Sequence, residues 1–225
     1  KAYNEDYYPL ALSEYDRMIF LVYYLESVYG KPWVENGEVQ YTEEEIATGM
    51  DFINKLEDGH VIPTLATING DMADSLDKKW IDGKYAGIFE WDSSASKFQK
   101  AVVESTNKPN QEFVIGDFIK FGDYNGGFTK ISMGLAVSAN SAHPKEAAML
   151  INYLLNDPEG IEICATERGI PCSAAAKTVL EEKNLGNALV KEANAKVMDH
   201  SKFPLDSKFE HNDLKANPDG VYYKV

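Results

Sequence analysis

The sequence predicts a helix-rich α/β fold. N-cap signals followed by apolar residues at helical spacing recur along the chain, helical segments outnumber strand-like ones by about two to one, and the strand-like segments lack the regular βαβ beat of a doubly wound sheet. The chain has 225 residues, 44% of them hydrophobic and 26% charged, which is enough for one large domain or two lobes with a substantial core. No run approaches the ~20 apolar residues that span a bilayer.

Ser13 caps a predicted helix from Glu14 to about Tyr29, with Met18, Leu21, Val22, Leu25 and Val28 on one stripe and Gly30 after its end. Lys31 to Tyr41 reads as a loop with an Asn36-Gly37 turn. Thr42 and Glu45 form a capping box that opens a helix to about Glu57, its core face made by Ile46, Met50, Ile53 and Leu56, and Gly59 closes it. A short helix is expected near Met72 to Trp80, then a strand from Tyr85 to Glu90. Ser93 or Ser94 starts a helix through Phe98 and Val102, and Asn107 to Gln111 turns into a strand-like Glu112 to Phe118.

Tyr124 to Gly127 breaks the chain before an apolar strand at Ser132 to Ser138. Pro144 stands at the favoured first position of a helix whose inward residues are Ala147, Ala148, Ile151, Leu154 and Leu155. Asp157-Pro158 repeats that signal for a helix ending at Gly169; Ser173 and Asn187 open two more, the last reaching about Met198. From Lys202 onward the chain reads as polar and irregular.

The formal net charge of -14 argues against nucleic acid as a partner, because neutralising phosphates requires clustered Lys and Arg. Cys164 and Cys172 are expected to be two small buried hydrophobes, although a turn at Gly169 and Pro171 would also let them pair. The first residue is not a methionine and no signal peptide follows it, so the expectation is an excised fragment rather than a trimmed export product.

Enzyme signatures are missing. There is no G-x-S-x-G, no HExxH and no phosphate-cradling glycine loop, and His60, His143, His200 and His211 lie far apart. No metal and no cofactor are expected; Asp213, Asn217 and Asp219 miss the register of a calcium loop. Glu90 and Asp92 flank Trp91 and could serve acid/base work, or accept hydrogen bonds from a polyol, or simply line a loop.

What the chain does carry is aromatic side chains beside carboxylates and amides at element ends. A sugar presents an apolar face of C–H groups and a rim of hydroxyls, so its recognition calls for a flat ring and adjacent polar groups. Tyr15-Asp16, Trp33, Trp91-Asp92-Ser93 and Tyr124-Asn125-Gly-Gly-Phe128 fit that description, the last with glycines that would let a ligand approach the backbone. Each also has a structural reading: Tyr15 in its helix stripe, Trp33 as a loop anchor, Tyr124 as packing. Arg168 could fork onto a ligand or bind the last carbonyls of its own helix.

Four passages resemble the carbohydrate-type extracellular solute-binding proteins, the family that includes maltose-binding protein. They are Trp80-Ile-Asp-Gly-Lys-Tyr-Ala-Gly-Ile-Phe-Glu-Trp at 80–91, Met133 to Ala148 with its Lys-Glu-Ala-Ala, Tyr153-Leu-Leu-Asn-Asp-Pro-Glu-Gly at 153–160, and Arg168-Gly-Ile-Pro at 168–171, in the family's order. The resemblance implies a periplasmic-binding-protein-like fold of type II, mostly its carboxy-terminal lobe (1–120 and 170–225), with the crossover and part of the amino-terminal lobe at 121–169. It implies a non-catalytic role: the substrate-binding component of an ATP-driven (ABC) importer, holding a mono- or oligosaccharide in a cleft between lobes. Trp91 would stack on the sugar, helped by Tyr15, Trp33 and Tyr124; Asp16 and Asp92 would accept hydroxyl bonds, and Arg168 would sit at the crossover.

The implied partners are a small-molecule carbohydrate and the membrane permease subunits. The implied location is extracellular or periplasmic, anchored to the outer face of the cytoplasmic membrane through a lipid carried outside this chain. The alternatives are the same fold with a polyamine, polyol phosphate or peptide as cargo, and a glycoside hydrolase using Glu90 and Asp92. The first half of the amino-terminal lobe is missing from the match, so residues 130–167 would lack their sheet partners.

Overall fold

The computed structural model describes residues 6–68, 77–105, 111–131, 133–215 and 219–224. Among them lie helices α1 (Glu14–Tyr29), α2 (Glu43–Asp58), α3 (Leu65–Ile68), α4 (Lys78–Ile81), α5 (Ala95–Ser105), α6 (Pro144–Asn156), α7 (Pro158–Cys164), α8 (Ala174–Glu182), α9 (Ala188–His200) and α10 (Asn212–Lys215). The strands are β1 (Val34–Glu35), β2 (Glu38–Val39), β3 (Phe128–Thr129) and β4 (Phe203–Pro204). The chain divides into two compact units: Lys1–Glu90, Lys97–Lys130 and Val197–Val225 form the first, Trp91–Ser96 and Ile131–Lys196 the second.

Unit 1 is organised around α1. Ser13 Oγ accepts the Asp16 N–H while the Asp16 carboxylate accepts from the Ser13 backbone, which satisfies orphan donors at the helix start, and left-handed Gly30 ends the helix. Eleven of its 16 residues are buried, so α1 runs through the interior of the unit rather than along its surface. The Thr42–Glu45 capping box opens α2 as expected. Gly49 brings α2 close to α1, because a Cβ there would lie 3.0 Å from Leu21 Cγ. The loop before α2 is more ordered than its sequence implied: β1 and β2 pair antiparallel about Asn36 and Gly37, both at positive φ.

A second core forms from Ala11, Trp80, Tyr85, Phe98 and Val102, with Tyr8, Ile81, Ile88 and Phe113 against it. Trp80 Nε1 donates to the Phe98 carbonyl at 3.1 Å, which satisfies the indole in that apolar setting. The expected strand at Tyr85 to Glu90 is reduced to isolated parallel bridges, Tyr8 with Tyr85 and Ala11 with Ile88. Glu112 to Phe118 forms no strand either; Val114 is 87% exposed there. Of the helix expected at Met72 to Trp80, residues 72–76 lie outside the described residues and the remainder is the single turn α4. The expected turn at 107–110 also lies outside them.

Residues 119–128 are strapped onto one face of α1. The Tyr23 hydroxyl donates to the Ile119 carbonyl. Ser27 Oγ accepts from the N–H groups of Phe121 and Gly122 and donates to the Tyr124 carbonyl. The Glu26 carboxylate accepts the Gly127 N–H at 2.9 Å. Gly122 and Gly126 permit this approach, since Cβ atoms there would lie 2.6 Å from the Ser27 carbonyl oxygen and 2.2 Å from that of Tyr23. Beyond the strap, β3 pairs in parallel with β4. The carboxy-terminal stretch is not irregular throughout: Phe209 and Tyr222 are buried, and the Tyr222 hydroxyl donates to the Phe209 carbonyl at 2.8 Å.

Unit 2 has a small core of Ile161, Ala176 and Leu180, backed by Ala165, Val179 and Leu185. α8 buries its apolar face against α7, and unit 2 continues to Lys196. α7 stops at Cys164 rather than Gly169, because Ala165 turns to φ 40. The expectation of two buried cysteines is corrected: Cys164 is half-buried and Cys172 is exposed, and both are free. Residues 133–137 form no paired strand among the described residues, and no residue of α6 is buried.

Candidate functional site

Trp91 closes the chain's first passage out of unit 1 and stands at the N-cap of a 3-10 turn, Asp92–Ser94, with its carbonyl accepting the Ser94 N–H at 2.9 Å. It is half-buried, so its ring is neither sealed in a core nor fully in water. Asp92 is held at both oxygens: Oδ1 accepts the Ser93 N–H at 2.8 Å and Oδ2 accepts from Asn194 Nδ2 at 2.7 Å. Each carboxylate oxygen retains a second lone pair for a further donor, and Asn194 contributes an amide oxygen. Gly169, at φ 94, lies against the same turn, where an added Cβ would approach Ser93 Cβ to 3.1 Å. That places Arg168, an exposed side chain, on a segment adjoining the 91–94 turn.

Asn194 was not singled out from the sequence. Its helix is amphipathic, with Val190 and Ala193 buried, and nothing local distinguishes this amide from an ordinary flank residue. Only the fold brings it to Asp92, 102 residues away.

The candidates in unit 1 are engaged otherwise. Asp16 is 6% exposed and its carboxylate serves the cap of α1, accepting from Ser13 Oγ at 2.6 Å. Burial pushes that carboxyl up, against the lowering pull of the Ser13 bonds. The Tyr15 hydroxyl donates to Glu210, which also binds Lys130 and Lys215; burial and then this carboxylate push the phenol well above its ordinary range. Burial works to raise Glu210, but Lys130 and Tyr15 hold it below the usual carboxylate range. Tyr15 and Trp33 both pack on Phe209, with ring centroids 6.2 and 6.4 Å away. Tyr124, though 51% exposed, lies over Gly30, where a Cβ would fall 2.6 Å from its ring.

Tyr124 therefore marks the far end of α1 from Asp16, about 21 Å along the axis at 1.5 Å per residue. The glycines at 126 and 127 let the backbone approach α1 rather than leaving an open path to a ligand. Among the described residues of unit 2, Asn194 is joined to Asp92, the residue that follows Trp91. Among the described residues no three His, Cys, Asp or Glu side chains gather in metal-binding geometry. Asn217, part of the weak calcium-like stretch, lies outside them.

No family model matches the chain, and no curated protein matches it. Solved structures do. A periplasmic solute-binding protein of Pectobacterium atrosepticum shares 24% identity at a TM-score of 0.72, over 94% of this chain and 54% of its own. A periplasmic oligogalacturonide-binding protein from Yersinia enterocolitica, in complex with saturated digalacturonic acid, shares 23% at a TM-score of 0.73, over 93% of this chain and 53% of its own. A de novo designed cysteine esterase shares 23% at 0.67, over 92% and 52%. The chain thus has the fold of periplasmic solute-binding proteins in part, and spans about half the length of these structures.

Proposed function

We propose that this chain is the greater part of a solute receptor, the substrate-binding component of an ABC importer, and that the receptor binds a mono- or oligosaccharide. The observation that carries the reading is a half-buried Trp91 followed directly in sequence by Asp92, whose carboxylate Asn194 and the Ser93 backbone hold in place. The indole supplies a face for sugar C–H groups, and the fixed carboxylate and amide supply acceptors and donors for hydroxyls without reorganising on binding. A neighbour of the same fold binds oligogalacturonide, which lends support to a carbohydrate cargo. The permease subunits of the importer are the protein partners in this reading, and the periplasm or outer cell surface its location.

Binding rather than catalysis is the role. The test is calorimetric titration of the longer parent polypeptide with neutral and uronic oligosaccharides, alongside Trp91→Ala. Saccharide binding weakened about tenfold or more by the substitution is the expected result, as for a central aromatic anchor. Binding of no saccharide in the panel defeats the cargo assignment, and an unchanged affinity in Trp91→Ala defeats the site.

A further inference from the structure

Where glycine follows asparagine, no Cβ shields the backbone nitrogen from the asparagine side-chain carbonyl carbon. Two such pairs lie among the described residues, Asn36-Gly37 and Asn125-Gly126; a third, Asn69-Gly70, lies outside them. The fold treats the first two oppositely. Asn36 and Gly37, at φ 54 and 81, form the tip of the β1–β2 hairpin. Every residue from Glu35 to Val39 is exposed, and each strand has only two residues, so the hairpin opens readily. Among the described residues neither the Gly37 N–H nor the Asn36 side-chain amide has a hydrogen-bond partner. A Cβ at Gly37 would meet Lys208 Nζ at 3.4 Å and nothing else described, so the approach to its nitrogen is open. Lys208 Nζ also lies 3.5 Å from the Gly37 carbonyl oxygen, and its positive charge favours negative charge developing on the Gly37 nitrogen.

Asn125-Gly126 is held fast. Asn125 Nδ2 donates to the His200 carbonyl at 3.3 Å. Gly126 is buried, and its Cβ position lies 2.2 Å from the Tyr23 carbonyl oxygen and 3.0 Å from the Ser27 nitrogen. Any rotation that brings the Gly126 nitrogen onto the Asn125 side chain must first lift the strap off α1, at the expense of its bonds to Ser27 and Glu26.

We propose that Asn36 is a site of spontaneous deamidation in the folded protein, with water as the co-reactant. The Gly37 nitrogen loses its proton to solvent base and bonds to Asn36 Cγ. The Cγ–Nδ2 bond then breaks, and Nδ2 takes up a proton and leaves as ammonia. Water adds to either carbonyl carbon of the cyclic imide and breaks that carbon's bond to the ring nitrogen, which gives aspartate or isoaspartate at position 36. No group is oxidised or reduced. Both products add a negative charge to the hairpin. Isoaspartate also routes the backbone through the side-chain carbons, which lengthens a turn fitted between the paired Glu35 and Glu38. That form loses the pairing, and with it the bonds from Gln40 Nε2 to the Glu35 and Glu38 carbonyls at 3.3 and 2.9 Å. The proposal is independent of which solute is bound.

The test is peptide mapping by mass spectrometry of the 225-residue protein after incubation in mildly alkaline buffer, folded and in urea. Labelling by an isoaspartyl methyltransferase separates isoaspartate from aspartate. In urea both asparagines should deamidate at similar rates. In the folded protein Asn36 should keep its rate to within about tenfold, while Asn125 slows by at least about 100-fold because its segment must open first. Suppression of Asn36 as deep as that of Asn125 overturns the proposal. Conversion of Asn36 to aspartate alone also overturns it, since a cyclic imide opens at both of its carbonyls.

Discussion

Glu26 offers a quantitative test of how the strap over α1 is held. The residue is 1% exposed, and its carboxylate receives a single described hydrogen bond, from the Gly127 N–H at 2.9 Å. Burial pushes its pKa up to about 8, only partly offset by that bond, from an ordinary value of 4.5. The folded state therefore keeps this proton where the unfolded chain has lost it. Its stabilising contribution is complete below pH 4.5 and is lost as pH rises through the folded value, at about 1.4 kcal/mol per unit in the window between. Over the full window the loss is roughly 5 kcal/mol at most, a large share of the ~5–15 kcal/mol that stabilises a domain.

Glu26→Gln keeps the acceptor for Gly127 and removes the titration. Urea unfolding of wild type and variant at half-unit steps from pH 5 to 9 reads the effect. The variant should gain on the wild type steadily up to about pH 8 and hold its advantage above. Burial pushes His200 below the usual imidazole range, so its contribution is present above its unfolded pKa and lost as pH falls. It is common to both proteins and cancels in the difference. A stability difference that stays constant with pH would refute the argument, because it would mean that Glu26 titrates alike in the folded and unfolded chains.

The remaining predictions concern the same strap and the candidate site. Gly126→Ala should lower the melting temperature by about 6 °C or more, since its Cβ would fall 2.2 Å from the Tyr23 carbonyl oxygen. Gly116→Ala, with nothing within 4 Å, should change stability by less than about 0.5 kcal/mol and serves as its control. Ser27→Ala removes an acceptor for two N–H groups and the donor to the Tyr124 carbonyl, at a cost of about 2–3 kcal/mol; limited proteolysis should then cut within 119–124 faster than in wild type. In the parent polypeptide, Asn194→Ala should reduce saccharide affinity by about fivefold to tenfold through loss of the donor that fixes Asp92, and calorimetry giving an unchanged value would detach Asn194 from the site.

The roles of the candidate residues were legible in the sequence where they depend on near neighbours, and illegible where they depend on distant ones. Asp16 illustrates the first case. Ser13 is a clear cap, and a carboxylate three residues on completes a capping box, so its engagement at the helix start could have been read from spacing alone. Gly126 and Gly127 illustrate the second: glycine announces that something comes close, and the sequence does not say whether a ligand or another helix does so. Asn194 belongs to the second case as well. Its partner Asp92 lies 102 residues earlier, and an amide on a helix flank carries no mark of such an appointment.

The same division separates helices from strands. α1, α2, α6, α7 and α8 begin at the residues their caps announced, because capping and i→i−4 bonding are settled within a few residues. Tyr85–Glu90, Glu112–Phe118 and Ser132–Ser138 have strand composition, yet a strand exists only when another segment supplies its hydrogen bonds. Among the described residues, the extended pairing that joins distant parts of the chain in named strands is β3 with β4, between residues just after the Tyr124–Gly127 break and residues in the polar tail. Residues 133–137 are the sharpest instance: their alternation fits a sheet interior, and the chain provides no described segment to pair with them. Composition records the environment in which a segment is stable, whereas the fold of this chain alone records which neighbours are at hand.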